Sequence, residues 1–255
     1  MKPQSENYVD IFKVRFPRMN AHQALDALMD RFQSKQSTSV CFIDMSAMNQ
    51  AMKHSKLHRI YQGRSFNFND GVGMSFAAWQ QGKPFPENLN GTDICPMFLR
   101  SLPKGTKIYM VGSYPELIQR SFETFQKQYP HLNFVGCHHG YFNSQEEEKL
   151  VEELKEKKPR IVLVGMGNPQ QALFIDRHLD DPKLKGVMWF AIGGLLHYFS
   201  GDLLRAPESF RKRHLEWLYI LAQQPHKLTR YVFGIPLFLV RSCWAYIRNE
   251  HEAKR

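Results

Sequence analysis

The chain has 255 residues, of which 43% are hydrophobic and 13% aromatic, so it can bury a large core and is not intrinsically disordered. The four cysteines (Cys41, Cys95, Cys137 and Cys243) are far apart and form no CxxC pair. This spacing argues against a disulfide scaffold or a zinc site and indicates reduced thiols in a cytosolic protein. The first residues contain no apolar stretch, so we expect no signal peptide.

Positive charge is concentrated at the C-terminal end. The net charge of the chain is +10, and residues 205–255 contain ten Lys or Arg against four Glu, a local net charge of +6. This asymmetry predicts a polyanionic partner: a nucleic acid, an anionic membrane surface or a phosphorylated substrate.

The first half of the chain predicts alternating helices and strands. Asn20 and Gln23 have the spacing of a capping box, so a helix is expected at residues 20–32. Prolines, glycines and asparagines at 82–91 predict a loop, after which Thr92 and Asp93 are expected to cap a helix through residue 102. Between these helices, the apolar patterns predict a strand at 39–44, a helix at 46–60, a strand at 65–70 and a helix at 74–81.

The second half continues the alternation, with Ser144 and Glu147 expected to form a capping box. Strands are predicted at 107–111, 133–136, 161–164 and 186–192, each followed by a turn and most by a helix. Short loops between alternating strands and helices predict an α/β fold, a Rossmann-like parallel sheet flanked by helices. Beyond residue 204 the pattern is helical only, so we divide the chain into an α/β domain at 1–204 and a helical, basic, membrane-proximal appendage at 205–255.

Residues 160–177 contain a strand, a tight loop and a helix start. Here Asn168 is expected as N-cap and Pro169 as the first helical residue. In a parallel sheet such a junction collects free backbone N–H groups, which bind phosphate-bearing ligands. The dinucleotide fingerprint and the Walker lysine are both absent, so these residues alone are more typical of a helix start without a ligand.

Asp70 is the strongest candidate for a catalytic carboxylate. It follows a predicted strand and precedes two glycines in the run Asp70–Gly73. A carboxylate there could act as general base for an attacking hydroxyl, or it could simply cap the next helix. Asp44 ends an equivalent strand and has the same two interpretations.

Three adjacent potential metal ligands occur at Cys137, His138 and His139. Adjacent residues of an extended segment face alternate sides, which argues against a metal site there.

The C-terminal segment contains an apolar run of nine residues at 232–240, well short of the roughly 20 that cross a bilayer. Arg230, Arg241 and Arg248 fall near one helical stripe. A basic amphipathic helix with Trp and Phe is suited to lying on an anionic membrane. The alternative is a terminal helix packed on the core with solvated arginines.

Several of these pieces, in this order, resemble the WecG/TagA/CpsF glycosyltransferase family over about residues 8–233. The matching stretches are Asp70–Gly73, Gly91–Asp93, Gly140–Phe142, Gly165–Gln171, Gly193–Gly194, Gly201 with Arg205–Pro207, and Leu215–Tyr219.

The resemblance implies an inverting transferase that moves a sugar (a HexNAc, its uronate or a hexose) from a UDP-sugar to a polyprenyl-diphosphate-linked sugar. It implies a place in bacterial cell-surface polysaccharide synthesis, peripheral at the cytoplasmic face of the plasma membrane. No metal and no cofactor is expected. The expected partners are the UDP-sugar, the lipid-linked acceptor and an anionic membrane surface, with no nucleic acid, and a homo-oligomer is left open.

The resemblance also implies residue roles. Asp70 matches the catalytic base, Gln171 the glutamine of the family's G-x-G-x-P-x-Q-E run, and Arg205 its R-A-P, where it would balance the departing UDP or the lipid diphosphate. The expected substrate-binding residues are Asp44, Gly71, Gly73, Gly167, Asn168, Gln171, Gly193, Gly194 and Arg205.

The chain departs from the family pattern at several positions. The T-x-N element falls on Phe42–Asp44, and Asn88, Ala172 and Ile220 stand where Arg, Glu and Arg are expected. Losing cations near a diphosphate weakens stabilisation of the leaving group. The alternative is therefore a catalytically impaired, nucleotide-binding relative that acts as a membrane-associated partner in polysaccharide assembly.

Two further classes fit less well. A nicotinamide-dependent oxidoreductase is disfavoured because G-x-G-x-x-G is missing. A nucleic-acid binder is disfavoured because the C-terminal aromatics lie within an apolar run rather than on an exposed basic face.

Overall fold

The computed structural model describes residues 7–207, 209–210, 216–225 and 228–253. Its centre is a parallel sheet of six strands: β3 (Thr38–Ile43), β4 (Phe66–Asn69), β5 (Lys107–Gly112), β6 (Asn133–His138), β7 (Ile161–Gly165) and β8 (Met188–Ala191). Their order across the sheet is β4-β3-β8-β7-β5-β6. This confirms the α/β class that the alternation predicted.

The helices that connect and cover these strands are α1 (Ala21–Gln33), α2 (Met45–Ala51), α3 (Ser55–Gly63), α4 (Val72–Gln80), α5 (Gly91–Ser101), α6 (Pro115–Gln128), α7 (Ser144–Lys157), α8 (Gln170–His178), α9 (Leu195–Phe199), α10 (Glu216–Gln223) and α11 (Leu228–Ala253). A short 3₁₀ turn, Pro182–Leu184, precedes β8.

Both faces of the sheet are buried. On β5, Ile108 and Met110 pack into one hydrophobic cluster, while Tyr109 and Val111 pack into the other. Side chains alternate in this way because successive residues of a strand point to opposite faces. Helices α1, α5 and α6 cover one face, and α2, α3, α4, α7 and α8 cover the other.

An antiparallel hairpin precedes the sheet, formed by β1 (Tyr8–Ile11) and β2 (Val14–Pro17). No sequence pattern predicted this hairpin. Its turn residues, Phe12 and Lys13, have positive φ angles of 50° and 65°, a conformation usually taken by Gly or Asn in hairpin turns. The usual sequence signal for a tight hairpin is therefore missing.

The capping box of α1 is confirmed, since Asn20 and Gln23 exchange both bonds. The predicted cap of α5 is wrong, because the Asn90 side chain accepts the Asp93 N–H at 2.9 Å. Asn90 immediately precedes the first helical residue, Gly91, so its side-chain oxygen is in the N-cap position, whereas Thr92 and Asp93 are already inside the helix.

The capping box of α7 lies one residue earlier than predicted. Asn143 and Glu146 form it, and Ser144 is the first helical residue. Glu147 instead accepts hydrogen bonds from Arg177 on α8, with both Nε and Nη2 at 2.8 Å. The tertiary ion pair therefore takes the carboxylate that the local pattern assigned to the cap.

The single helix predicted at 46–60 is divided into α2 and α3. His54 separates them and caps α3, its ring Nδ1 accepting the Leu57 N–H at 3.5 Å. An apolar period alone could not reveal this interruption.

Helix α11 packs across α2 and α4. Phe238 is fully buried, and its ring lies 5.7 Å from that of Phe12. Asn49 Nδ2 on α2 donates to Gly234 O at 2.9 Å, and Arg241 Nη1 donates to Asn49 Oδ1 at 3.2 Å. This end of the chain is thus joined to the helices that follow β3 and β4.

The predicted arginine stripe is described only in part, because the side chains of Arg230 and Arg248 lie outside the described residues, as does Leu215. Within the described part of the chain, no helix combines the length and the apolar character that a bilayer crossing needs.

Candidate active site

Apart from Arg205, the predicted site residues lie just after four neighbouring strands, at the carboxyl edge of the sheet. The register pairs Ile43 with Asn69 and Val164 with Ala191, so these strands end at nearly the same level. Adjacent strands lie about 4.8 Å apart, so the row of four ends spans roughly 14 Å. In spatial order, the residues after the strands are Asp70, Asp44, Gly193–Gly194 and Gly167–Asn168.

Asp70 occupies the turn between β4 and α4. Its backbone N–H donates to Ile43 O at 3.0 Å, which fixes the turn against the neighbouring strand. Gly71, the N-cap of α4, has a φ of 84°, in the left-handed region that favours glycine. The N-cap is thus Gly71 and not Asp70, so the interpretation of Asp70 as a simple N-cap is wrong. Its role as base stays a prediction.

Asp44 does cap the next helix. Its carboxylate accepts the Ala47 N–H at 2.6 Å at the start of α2. Gly73 lets α4 approach this helix, because a Cβ there would lie 2.0 Å from Met45 Cγ and Sδ. Asp44 and Gly73 therefore bring the starts of α2 and α4 together beside Asp70.

The loop after β7 differs from its prediction. Helix α8 begins at Gln170 with Pro169 as N-cap, and no side chain caps it. The prediction of Asn168 as N-cap is therefore wrong. The Asn168 oxygen instead accepts from Tyr61 OH at 3.1 Å, a residue of α3 that no local pattern associates with this loop.

Gln171 joins this loop to the end of β8. Its Nε2 donates to Asn168 Oδ1 at 3.3 Å, and its Oε1 accepts the Gly193 N–H at 3.1 Å. Gln171 is only 3% exposed, and Gly194 follows as the exposed N-cap of α9. Both ends of the Gln171 amide are therefore bonded to protein groups.

Arg205 is held at the start of α5. Its guanidinium Nη2 forms an ion pair with Asp93 and donates to Thr92 Oγ1 at 3.3 Å. Its buried Nε has no hydrogen-bond partner among the described residues. The start of α5 packs against β3, since a Cβ on Gly91 would lie 3.0 Å from the Phe42 ring.

Two departures from the family pattern have clear structural consequences. Phe42, which replaces a polar residue, stacks on Phe68 with ring centroids 5.6 Å apart. Asn88, which replaces an arginine, uses its Oδ1 to accept the Gly71 N–H at 2.7 Å. A stacked aromatic pair therefore takes the place of a polar residue at Phe42, and a hydrogen bond that fixes the Gly71 turn takes the place of a cation at Asn88. Ala172 is buried on α8, and Ile220 is half-buried on α10.

All four cysteines are free thiols. Burial raises the pKa of Cys41, on β3, to about 11. Among the described residues, no group of three or more His, Cys, Asp or Glu side chains is placed to hold a metal.

An apolar surface extends beside the site, formed by α11 and the end of α4. On α11 the exposed apolar residues are Leu228, Val232, Phe233, Leu237, Val240, Trp244 and Ile247. On α4 Trp79 is 65% exposed, and the next residue, Gln80, accepts a hydrogen bond from Ser242 Oγ at 2.6 Å. The two helices therefore contribute to one surface, which we call the apolar surface.

Comparison with known proteins gives a match along nearly the whole chain. A model described as the glycosyl transferase WecG/TagA/CpsF family matches residues 9–252. Over 237 residues, the chain is 28% identical to a protein of Staphylococcus aureus strain MW2 named N-acetylglucosaminyldiphosphoundecaprenol N-acetyl-beta-D-mannosaminyltransferase, covering 91% of each. Proteins of the same name from strains NCTC 8325 / PS 47 and COL match with the same identity and coverage.

Proposed function

Because the chain belongs to the WecG/TagA/CpsF glycosyltransferase family, we propose that it transfers a sugar from a UDP-sugar to a polyprenyl-diphosphate-linked sugar, with inversion. The donated sugar is a HexNAc, its uronate or a hexose, and the product belongs to bacterial cell-surface polysaccharide. The S. aureus relatives are named for N-acetylmannosaminyl transfer to N-acetylglucosaminyl-diphosphoundecaprenol, so that pair is the first to test.

One observation carries this proposal: Asp70 and the loop before α8 share one edge of the sheet. Asp70 follows β4, Gly167 and Asn168 follow β7, and the N-cap residues of the helices after both strands, Gly71 and Pro169, make no side-chain cap bond. Uncapped helix starts offer backbone N–H groups and a positive dipole end to an anion. A carboxylate and an anion-binding loop on one edge suit a sugar nucleotide next to an acceptor hydroxyl.

In the proposed reaction, the Asp70 carboxylate takes the proton of the acceptor hydroxyl as its oxygen attacks the anomeric carbon of the donor. The new glycosidic C–O bond forms on the face opposite the UDP. The old C–O bond breaks, and UDP leaves with the electron pair. Inversion follows because the displacement is direct.

The leaving UDP carries a developing negative charge that needs compensation. We assign this role to the backbone N–H groups at the start of α8 and to Arg205. Its Nη2 pairs with Asp93, and its buried Nε has no hydrogen-bond partner among the described residues. We propose that no metal is required, and we expect EDTA to leave turnover unchanged.

We also propose that the apolar surface rests on the inner face of the plasma membrane, where the lipid-linked acceptor resides. Exposed Trp and Phe suit the interfacial region of a bilayer, and the appendage carries a net charge of +6 that would attract anionic lipids. Since α11 packs on α2 and α4, this surface lies close to the helices that begin just after Asp44 and Asp70.

The test is incubation of the full chain with a panel of UDP-sugars and a short-chain polyprenyl-diphosphate-GlcNAc acceptor, read by mass spectrometry. A new product mass identifies the donor. UDP binding without any product from the panel would contradict the proposal and favour the impaired relative.

A further inference from the structure

Four groups form a continuous chain of hydrogen bonds at the carboxyl edge of the sheet. Tyr61 OH donates to Asn168 Oδ1 at 3.1 Å, and Gln171 Nε2 donates to the same oxygen at 3.3 Å. Gln171 Oε1 accepts the Gly193 N–H at 3.1 Å. The bonds join α3, the loop after β7, α8 and the loop after β8.

The direction of each bond follows from Gly193. A backbone N–H can only donate, so Gln171 must turn its oxygen toward Gly193 and its NH₂ group toward Asn168. Asn168 must then present its oxygen, and the Tyr61 hydroxyl must donate to it. The orientation of the Asn168 amide is therefore determined by the surrounding bonds.

This orientation has a consequence for the other end of the amide. Asn168 is half-buried, and its NH₂ group donates to no other residue in the described part of the chain. Tyr61 is 1% exposed, and burial holds its pKa well above the usual range, so its hydroxyl keeps its proton at neutral pH. Tyr61 and Gln171 are both buried and both hydrogen-bonded, so they make a rigid support for Asn168.

We propose that Tyr61 is a positioning residue of the nucleotide-sugar site. Together with Gln171 it occupies the oxygen of Asn168, so that the Asn168 NH₂ group donates a hydrogen bond to a phosphate oxygen of the donor. Tyr61 acts through Asn168 and lies outside every stretch that resembles the family. The inference rests on the proposed UDP-sugar donor.

The test measures UDP binding to the full-length chain by isothermal titration calorimetry. In Tyr61→Phe, we expect the Kd for UDP to rise about three- to tenfold, because the amide loses one of its two fixed donors. Asn168→Asp keeps an oxygen for Tyr61 and Gln171 but replaces the NH₂ group with an oxygen that repels phosphate. We expect its Kd to rise at least about tenfold.

Tyr129→Phe is the matched control, because Tyr129 is fully buried and its hydroxyl has no hydrogen-bond partner among the described residues. It should bind UDP like the wild type. In the Asn168→Asp background, Tyr61→Phe should cause no further loss, since Tyr61 acts only through Asn168.

Two results would overturn the inference: wild-type Kd values in either single variant, or additive losses in the double variant. Thermal unfolding is recorded for each variant. If Tyr61→Phe fails to fold, Tyr61→Met, which also lacks the hydroxyl and fills a buried space flexibly, is measured in its place with the same expected rise in Kd. A wild-type chain that binds no UDP would instead reject the proposed donor itself, and the inference with it.

Discussion

Asn88 Oδ1 accepts a hydrogen bond of 2.7 Å from the backbone N–H of Gly71, which ties the loop before α5 to the turn after β4. Two more bonds hold the same loop. Asn69 Nδ2 donates to Glu87 O at 2.9 Å, and Leu89 N donates to Asn69 O at 3.0 Å. This loop therefore fixes the turn that carries the proposed base.

Replacing Asn88 with alanine should loosen this turn. Without its acceptor, the Gly71 N–H loses a hydrogen bond, and we expect the free energy of unfolding to fall by about 1 kcal/mol. The transfer rate should fall as well, because Asp70 is held less firmly. Urea unfolding followed by circular dichroism measures the first effect, and initial rates measure the second. Asn88→Asp keeps an oxygen in the same place, so losses as large in that variant would contradict the explanation.

Asp70→Asn should abolish the proton transfer and little else. We expect kcat to fall by about 10²- to 10⁴-fold while the Kd for UDP stays within about twofold. Asp44→Asn is the comparison variant. Asn caps a helix about as well as Asp, so α2 should remain stable, and kcat should fall less than in Asp70→Asn. Wild-type-like turnover by Asp70→Asn would reject the base assignment. A greater loss in Asp44→Asn would move the assignment to Asp44.

Local sequence patterns predicted the strands and the parallel sheet because each strand is short, apolar and followed by a turn. They also brought Asp70 and the loop at 165–171 to one edge, since carboxyl ends of parallel strands meet there. The sequence could not show which side chain would occupy a given oxygen. Asn168 has the pattern of an N-cap, but Tyr61, 107 positions earlier, takes its oxygen.

The pairing of Arg205 with Asp93 was likewise beyond a sequence pattern. The resemblance identified Gly91–Asp93 and Arg205–Pro207 as separate motifs. The structure joins them by the ion pair of Arg205 with Asp93, across 112 positions. Such a pairing depends on how α5 packs against the segment after α9. The spacing of residues within either motif carries no information about this packing.

Arg205→Ala should lower kcat/KM by about 100-fold, because it removes a cation that we assign to the diphosphate. Asp93→Ala should cause a smaller loss, about tenfold, since the guanidinium remains but is less well placed. Steady-state kinetics with both substrates measures the two effects. Equal losses in the two variants would indicate that Arg205 acts only by anchoring the chain at α5.

Replacing Trp79 and Trp244 with serine should weaken membrane binding. We expect partitioning onto anionic vesicles to fall at least about tenfold, because two interfacial aromatic side chains are lost. Turnover of a water-soluble, short-chain acceptor should be unchanged. Vesicle co-sedimentation measures the partitioning. Met97→Ser, on exposed α5 surface across the sheet, is the control and should bind vesicles normally. Undiminished binding by the double variant would place the contact elsewhere.

Helix α4 begins immediately after the Asp70–Gly71 turn and ends beside Trp79. Trp79 lies seven positions after Val72, the first residue of α4, and a helix rises about 1.5 Å per residue, so roughly 10 Å of helix links Trp79 to the turn that carries Asp70. If Trp79 meets the lipid surface, α4 is a spacer of fixed length. It limits the height above the bilayer at which the acceptor hydroxyl can react. The enzyme would therefore favour acceptors whose reacting hydroxyl is held at that distance from the lipid.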